Sequence, residues 1–222
     1  MSAADYALEP VHALDADVVD ALRRIYEDGF PGRLRADFGT LADRPEAGES
    51  ALALVCRRQP CGFAMLRRLG GTGWTFLRYF VVDQGLRGQG LGGIMWDLLT
   101  ARLAADGSTL LVFDVEDPAE TGCGASESQV RSRRIAFYES HGAQLLPVRG
   151  YQAPHGNSGG EHWTPMLLLA APVAAEALAL GTREAPAIVS AVYQYRWGLA
   201  PGDPRIQATQ VVVADSAART QE

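Results

Sequence analysis

Residues Phe76–Leu99 read FLRYFVVDQGLRGQGLGGIMWDLL, and this stretch decides the fold. Its first seven residues are apolar or aromatic, with Arg78 the single charge. Asp83 ends that run, and the turn Arg87-Gly88-Gln89-Gly90-Leu91-Gly92 follows. Leu91, Ile94, Met95, Leu98, Leu99 and Leu103 then recur at helical spacing, with Asp106-Gly107 as the stop. The pattern predicts a strand, a tight turn and a helix over about Gly90–Ala105. Such a junction turns several backbone N–H groups toward one point, where the helix dipole also favours negative charge. Gly88, Gly90 and Gly92 allow close approach and unusual backbone angles. A phosphate-bearing ligand is therefore expected at Arg87–Gly92. The turn lacks the Gly-Lys-Ser/Thr ending of a Walker A loop, and it lacks the early βαβ setting of a dinucleotide site.

Working outward toward the N-terminus, Trp74–Val82, Gly62–Arg68 and Ser50–Arg57 read as three strands of an antiparallel meander. Their turns are expected near Gln59-Pro60 and at Gly70–Gly73. Leu34–Leu41 could form a short helix. Ala16–Tyr26 reads as a helix capped by Asp15, and Tyr6–His12 as a first strand. Toward the C-terminus, Thr109–Val115 reads as a buried strand and Ala119–Glu127 as a loop. A helix is predicted over Gln129–Ser140, with Val130, Arg134, Phe137 and Tyr138 in register and Gly142 as its stop. Gln144–Val148 is a short strand, Arg149–Glu161 a long loop and His162–Leu169 the last core strand. After Pro172 the pattern changes. Ala174–Leu180 and Arg183–Trp197 read as helical, and Ile206–Ala214 as strand or helix. The division expected is a domain over 1–172 and an extension over 173–222, which packs on the core or makes a homodimer contact.

The 222 residues are 47% hydrophobic, enough for one sizeable core. The formal net charge of -6 argues against a basic nucleic-acid-binding surface. No apolar run reaches the roughly 18 residues of a membrane span. The first residues show no basic segment followed by an apolar stretch, so a cytoplasmic location is expected. Cys56, Cys61 and Cys123 form no disulfide framework. Cys56 and Cys61 read as small apolar strand residues, and Cys123 as a loop thiol. His12, His141, His155 and His162 have no ligand spacing, so no metal is expected.

Arg87, Gly90 and Gly92 resemble the acyl-CoA-binding motif of the GNAT acetyltransferase superfamily. Arg133–Leu146, RRIAFYESHGAQLL, resembles that family's second motif, with Phe137 and Tyr138 as the aromatic pair. The resemblance covers about three quarters of the chain and not the tail. It implies an α/β (α+β) fold with a mixed central sheet flanked by helices, and acetyl-CoA as cosubstrate. It implies that the turn, including Gln89 and Leu91, holds the pyrophosphate. It further implies that Phe80, Val81 and Val82 pair with the pantetheine arm, beside a gap where the next strand splays away. Tyr138 matches the tyrosine near the CoA sulfur, where a phenol can protonate the leaving thiolate. Arg131, Arg133 and Arg134 could meet a CoA phosphate. A base for the acceptor amine is read at Glu116, two residues from Asp114 on one strand face. Asp83, Glu161 and His162 are further candidates. The function expected is N-acetylation of a small-molecule amine by direct attack. A protein N-terminus or lysine is the alternative acceptor, and a non-catalytic acyl-CoA-binding module the alternative function.

Overall fold

The computed structural model describes residues 5–30, 32, 35–43, 45–154, 163–173 and 180–212. The chain begins with β1 (Tyr6–Pro10), α1 (Ala16–Gly29) and α2 (Phe38–Asp43). The meander is β2 (Glu49–Cys56), β3 (Gln59–Arg68) and β4 (Trp74–Val82). Then come α3 (Leu91–Ala105), β5 (Leu110–Glu116) and α4 (Ala125–Ser140). Three short strands, β6 (Gln144–Leu145), β7 (Val148–Arg149) and β8 (Gln152–Pro154), precede β9 (Trp163–Pro172). The tail carries α5 (Ala185–Ala191), a π-helical turn at Val192–Arg196, α6 (Pro204–Ala208) and β10 (Gln210–Val211).

The main sheet has the order β1-β2-β3-β4-β5-β9-β6, with β8 on the outer part of β9. Only β4 and β5 run parallel, because α3 carries the chain back across the sheet between them. All other neighbours are antiparallel. One face packs on α3 and α4 through Leu54, Leu77, Phe113, Trp96, Leu99 and Tyr138. The opposite face is covered in two parts. Helices α1 and α2 cover the first half through Leu22, Tyr26, Phe38, Phe63 and Val81. Residues of the tail, among them Ile188, Val192 and Tyr193, cover the second half against Phe76, Val112, Tyr151 and Leu168. β10 pairs with β7 and fastens the far end of the described tail.

Several local expectations shift. The β2–β3 turn expected near Gln59-Pro60 lies at Arg57-Arg58, both with positive φ (50° and 66°). Pro60 instead pairs with Val55 beside a register shift, the irregular setting in which a strand tolerates proline. Helix α4 starts at Ala125, within the stretch read as a loop. Val130 is exposed on that helix while Arg131 turns inward, the reverse of the sequence reading. The strand read over Gln144–Val148 divides around Leu146-Pro147. The tail helix ends at Ala191 and widens into the π-turn. Ile206 lies in helix and Gln210 in strand, so both readings of that stretch apply to different residues.

One irregularity of the sheet creates the site. β4 and β5 share only three rungs, Trp74↔Leu110, Thr75↔Leu111 and Phe76↔Val112. Just beyond, β4 carries a bulge. Met65 faces Tyr79 and Leu66 faces Leu77, which leaves Arg78 as the extra residue. β5 continues along β9 as far as Glu116. A gap therefore opens between Leu77–Val82 and Phe113–Glu116, where these strand segments no longer pair with each other.

Candidate active site

At the outer end of the gap the chain enters the glycine turn. Asp83 anchors its start, donating its N–H to Cys61 O (2.9 Å) and accepting the Gly85 N–H on its carboxylate (2.7 Å). Gly88 and Gly90 have φ of +78° and +79°, a region that favours glycine. Gly90 is the N-cap of α3, and its carbonyl accepts the Ile94 N–H (3.2 Å). Among the described residues no acceptor meets the backbone N–H of Gly88, Gln89, Gly90, Leu91 or Gly92. A Cβ added at Gly88 or Gly90 would meet nothing within 4 Å, so the turn is open on that side. Five available N–H groups at the start of a 15-residue helix fit a diphosphate. Arg87 contacts Val82 O through Nε (3.4 Å) and is exposed beside the turn. Leu91 is buried, so only its backbone serves the turn. Gly92 has a packing role as well, since a Cβ there would sit 3.2 Å from the Phe137 ring.

Tyr138 lies against both walls of the gap. Its ring is 4.4 Å from Phe113 of β5 and 6.3 Å from Phe80 of β4, with Trp96 at 5.3 Å. Phe80 and Val82 share this face, while Val81 points to the other and packs with α1. One edge of Phe80–Val82 has no strand neighbour. The Tyr138 residue is 7% exposed, and among the described residues its hydroxyl has no hydrogen-bond partner. Burial pushes its pKa up to about 12, against a smaller lowering influence of Arg134. Tyr138 is thus a neutral phenol at ordinary pH with an available O–H.

Glu116 sits at the end of β5 with both carboxylate oxygens engaged. Arg131 Nη2 donates to one (3.2 Å) and Arg134 Nη1 to the other (3.1 Å). Arg131 also donates to Glu120 (2.6 Å), Glu127 (3.2 Å) and Asp117 O (2.8 Å). The sequence grouped Arg131, Arg133 and Arg134 as phosphate contacts. The structure separates them, because only Arg133 is an exposed guanidinium with no ion-pair partner among the described residues. Glu161 and His162 lie outside the described residues.

The other side of the gap carries a charged cluster that sequence reasoning mostly missed. Asp114 accepts a hydrogen bond from Tyr151 (2.9 Å), whose oxygen accepts one from Trp197 Nε1 (3.0 Å). Arg78 Nη1 donates to Glu49, which also accepts from Arg67 (3.0 Å). Arg196 stacks on Trp197, 3.9 Å from its ring centroid, with Phe76 at 5.8 Å. Arg78 inside an apolar strand and Arg196-Trp197 ending an apolar helical run were the available sequence signals. A separate cavity of about 520 Å³ lies at the far end of β4 and α3, lined by Trp74, Arg102 and Asp106 among others. It is remote from the glycine turn along both elements. Among the described residues no group of three His, Cys, Asp or Glu side chains converges as metal ligands. No described helix is long and apolar enough to cross a membrane.

The sequence model of the acetyltransferase (GNAT) family matches residues 17–142. No curated protein gives a significant match. Among solved structures, a protein of Bacteroides thetaiotaomicron assigned to the GNAT family aligns with a TM-score of 0.64 at 19% identity, over 87% of this chain and 99% of its own. An aminoglycoside 6'-N-acetyltransferase complexed with coenzyme A aligns with a TM-score of 0.57 at 16% identity, over 76% and 97%. The ribosomal-protein-S18-alanine N-acetyltransferase of Escherichia coli aligns with a TM-score of 0.51 at 21% identity, over 78% and 98%. These three share the fold. The family match spans more than half of the chain and includes both the glycine turn and Tyr138, and on it the chain belongs to the GNAT acetyltransferase family.

Proposed function

We propose that the protein is an N-acetyltransferase that passes an acetyl group to a primary amine of a small molecule, by direct attack in a ternary complex. Acetyl-CoA is the cosubstrate. The backbone of Gly88–Gly92, with Arg87 and Arg133, is assigned to its phosphates. The free edge of Phe80–Val82 is assigned to its pantetheine arm. In the transfer a nitrogen–carbon bond forms and the carbon–sulfur bond breaks. One proton leaves nitrogen and one is taken by sulfur. Tyr138 is assigned as the group that supplies the second proton.

The observation that carries this reading is Tyr138, its ring packed between Phe113 and Phe80 at the gap and its hydroxyl without a hydrogen-bond partner among the described residues. That hydroxyl is accessible and not sealed, so an arriving sulfur can meet it. Glu116 is reassigned from base to positioning residue. Its two oxygens tie β5 to α4, and α4 carries Tyr138. The test is an amine panel in which CoA release is coupled to mass detection of the product, for wild type and Tyr138→Phe. Acceptor-dependent release that collapses in the variant supports the reading. Acetylation confined to peptide substrates replaces the small-molecule acceptor with a protein one. Acetyl-CoA binding without release for any amine or peptide overturns the enzyme reading.

A further inference from the structure

Arg196 is a cation without an ion-pair partner among the described residues. Its residue is part-buried and its Nε is sealed from solvent. No hydrogen bond is made by its guanidinium among the described residues, and no carboxylate lies within salt-bridge reach of it. It lies over the faces of Trp197 and Phe76. Arg78 has a second sealed and unbonded Nε, although its Nη1 meets Glu49. Burial and the charge of Arg78 push the Arg196 pKa down to about 10, so it remains a cation at neutral pH. Only Nε is sealed; the two Nη groups are accessible and have no acceptor among the described residues, so an arriving oxyanion can bond them.

The position of this cation matters. Arg78 follows Phe76 by two residues, and Asp114 follows Val112 by two. Phe76 and Val112 form the last rung before the gap. Phe76, Val112 and Tyr151 pack on the tail side of the sheet, whereas Leu77, Phe113 and Tyr138 pack on the α3–α4 side. Asp114 bonds Tyr151, so its carboxylate is on the tail side. The gap therefore has the phenol of Tyr138 on one side. On the other it has a carboxylate and an unmatched guanidinium that act on each other electrostatically.

We infer that the acceptor carries a carboxylate beside its amine, that Arg196 with Arg78 binds this carboxylate, and that Asp114 faces the amine end. This rests on the acetyltransferase reading above and specifies its substrate class, an amino-acid-like zwitterion. A planar guanidinium fork matches a carboxylate bidentately. A dianion fits less well, because Asp114 and Glu49 are close by and repel added negative charge. Asp114 attracts the ammonium form and can accept the proton that nitrogen loses on attack.

The test uses the intact protein with acetyl-CoA and matched acceptors: α-, β- and γ-amino acids, their carboxamides, and the amines without the carboxyl. The amino acids should be preferred in kcat/KM by about 10- to 100-fold, the usual effect of one charged hydrogen-bonding partner. Arg196→Gln should abolish the preference and Arg196→Lys should restore part of it, with acetyl-CoA affinity unchanged in both. Equal use of carboxamides by wild type, or a preference that survives in Arg196→Gln, overturns the inference while leaving the acetyltransferase reading intact. Calorimetry with the N-acetyl amino acids in the presence of CoA reads the subsite without turnover. Binding to wild type but not to Arg196→Gln, with no acceptor turned over, sinks the enzyme reading and keeps the subsite. No binding and no turnover sinks both.

Discussion

Arg131 and Arg196 lie on opposite sides of the gap and are treated in opposite ways. Arg131 is turned inward on α4, its side chain 7% exposed, and three carboxylates and one carbonyl meet it. Arg196 has aromatic faces and, among the described residues, no acceptor. The first arrangement is complete within the chain. It fixes α4 against β5 and the loop before α4, and so fixes Tyr138. The second is complete only when something else arrives. Burial alone therefore does not distinguish a structural arginine from a binding one; the state of its hydrogen-bond donors does.

Four measurements break or sharpen this contrast. The largest effect is expected on the Arg131 side, at the residue it positions. Tyr138→Phe should lower kcat by about 10²- to 10⁴-fold, the usual contribution of a positioned general acid, with acetyl-CoA binding little changed. A mutant that keeps full kcat removes Tyr138 from the chemistry. Next in size, Arg131→Met should cost about 3–5 kcal/mol in urea unfolding, because it removes the partner of the part-buried Glu116 and Glu120 and of Glu127 together. Arg196→Met should cost less than about 1 kcal/mol, or stabilise, since no partner is stranded. Equal losses at the two arginines would erase the distinction.

Gly90→Ala should cost about 1–2 kcal/mol, the penalty for an L-residue held at positive φ, and should weaken acetyl-CoA binding. Isothermal titration distinguishes that loss from the acceptor-side loss expected in Arg196 variants. The smallest effect is on pH dependence. Tyr138 loses its proton near 10 in the unfolded chain but only near 12 when folded. The unfolded state therefore gives up its proton first as pH rises. The stability that the buried phenol contributes is present below pH 10 and is lost toward pH 12. At pH 10 the wild type should have lost about 0.5 kcal/mol relative to Tyr138→Phe, and kcat should show no falling limb from Tyr138 below that pH.

Much of the frame is legible from local pattern. The meander, the strand before the glycine turn and the apolar stripe of α3 follow from alternation, glycine placement and helical spacing. The turn at Arg87–Gly92 and the tyrosine at 138 are short-range signals of the same kind. Gln59-Pro60 marks the neighbourhood of the β2–β3 turn, but its position at Arg57-Arg58 is set by the pairing of the flanking strands, under which both residues hold positive φ. Gly29 reads in the sequence only as a break in the helical pattern, and its packing role is not visible there. Its lack of a Cβ matters because α1 meets Val81 there, at 2.3 Å from where that carbon would lie.

The side-chain roles divide in the same way. The sequence by itself determined which residues could bear chemistry: the glycine turn, Tyr138, Glu116, and arginines whose partners it does not name. Tertiary structure decided which were spent and which were open. Glu116 and Arg131 meet because β5 ends beside the loop before α4, and that contact satisfies both. Arg196 comes beside Arg78, 118 positions earlier in the chain, because the tail folds back over β4. Helix and strand patterns are set by neighbours a few residues apart, whereas a counterion is found, or left missing, only when distant segments pack together.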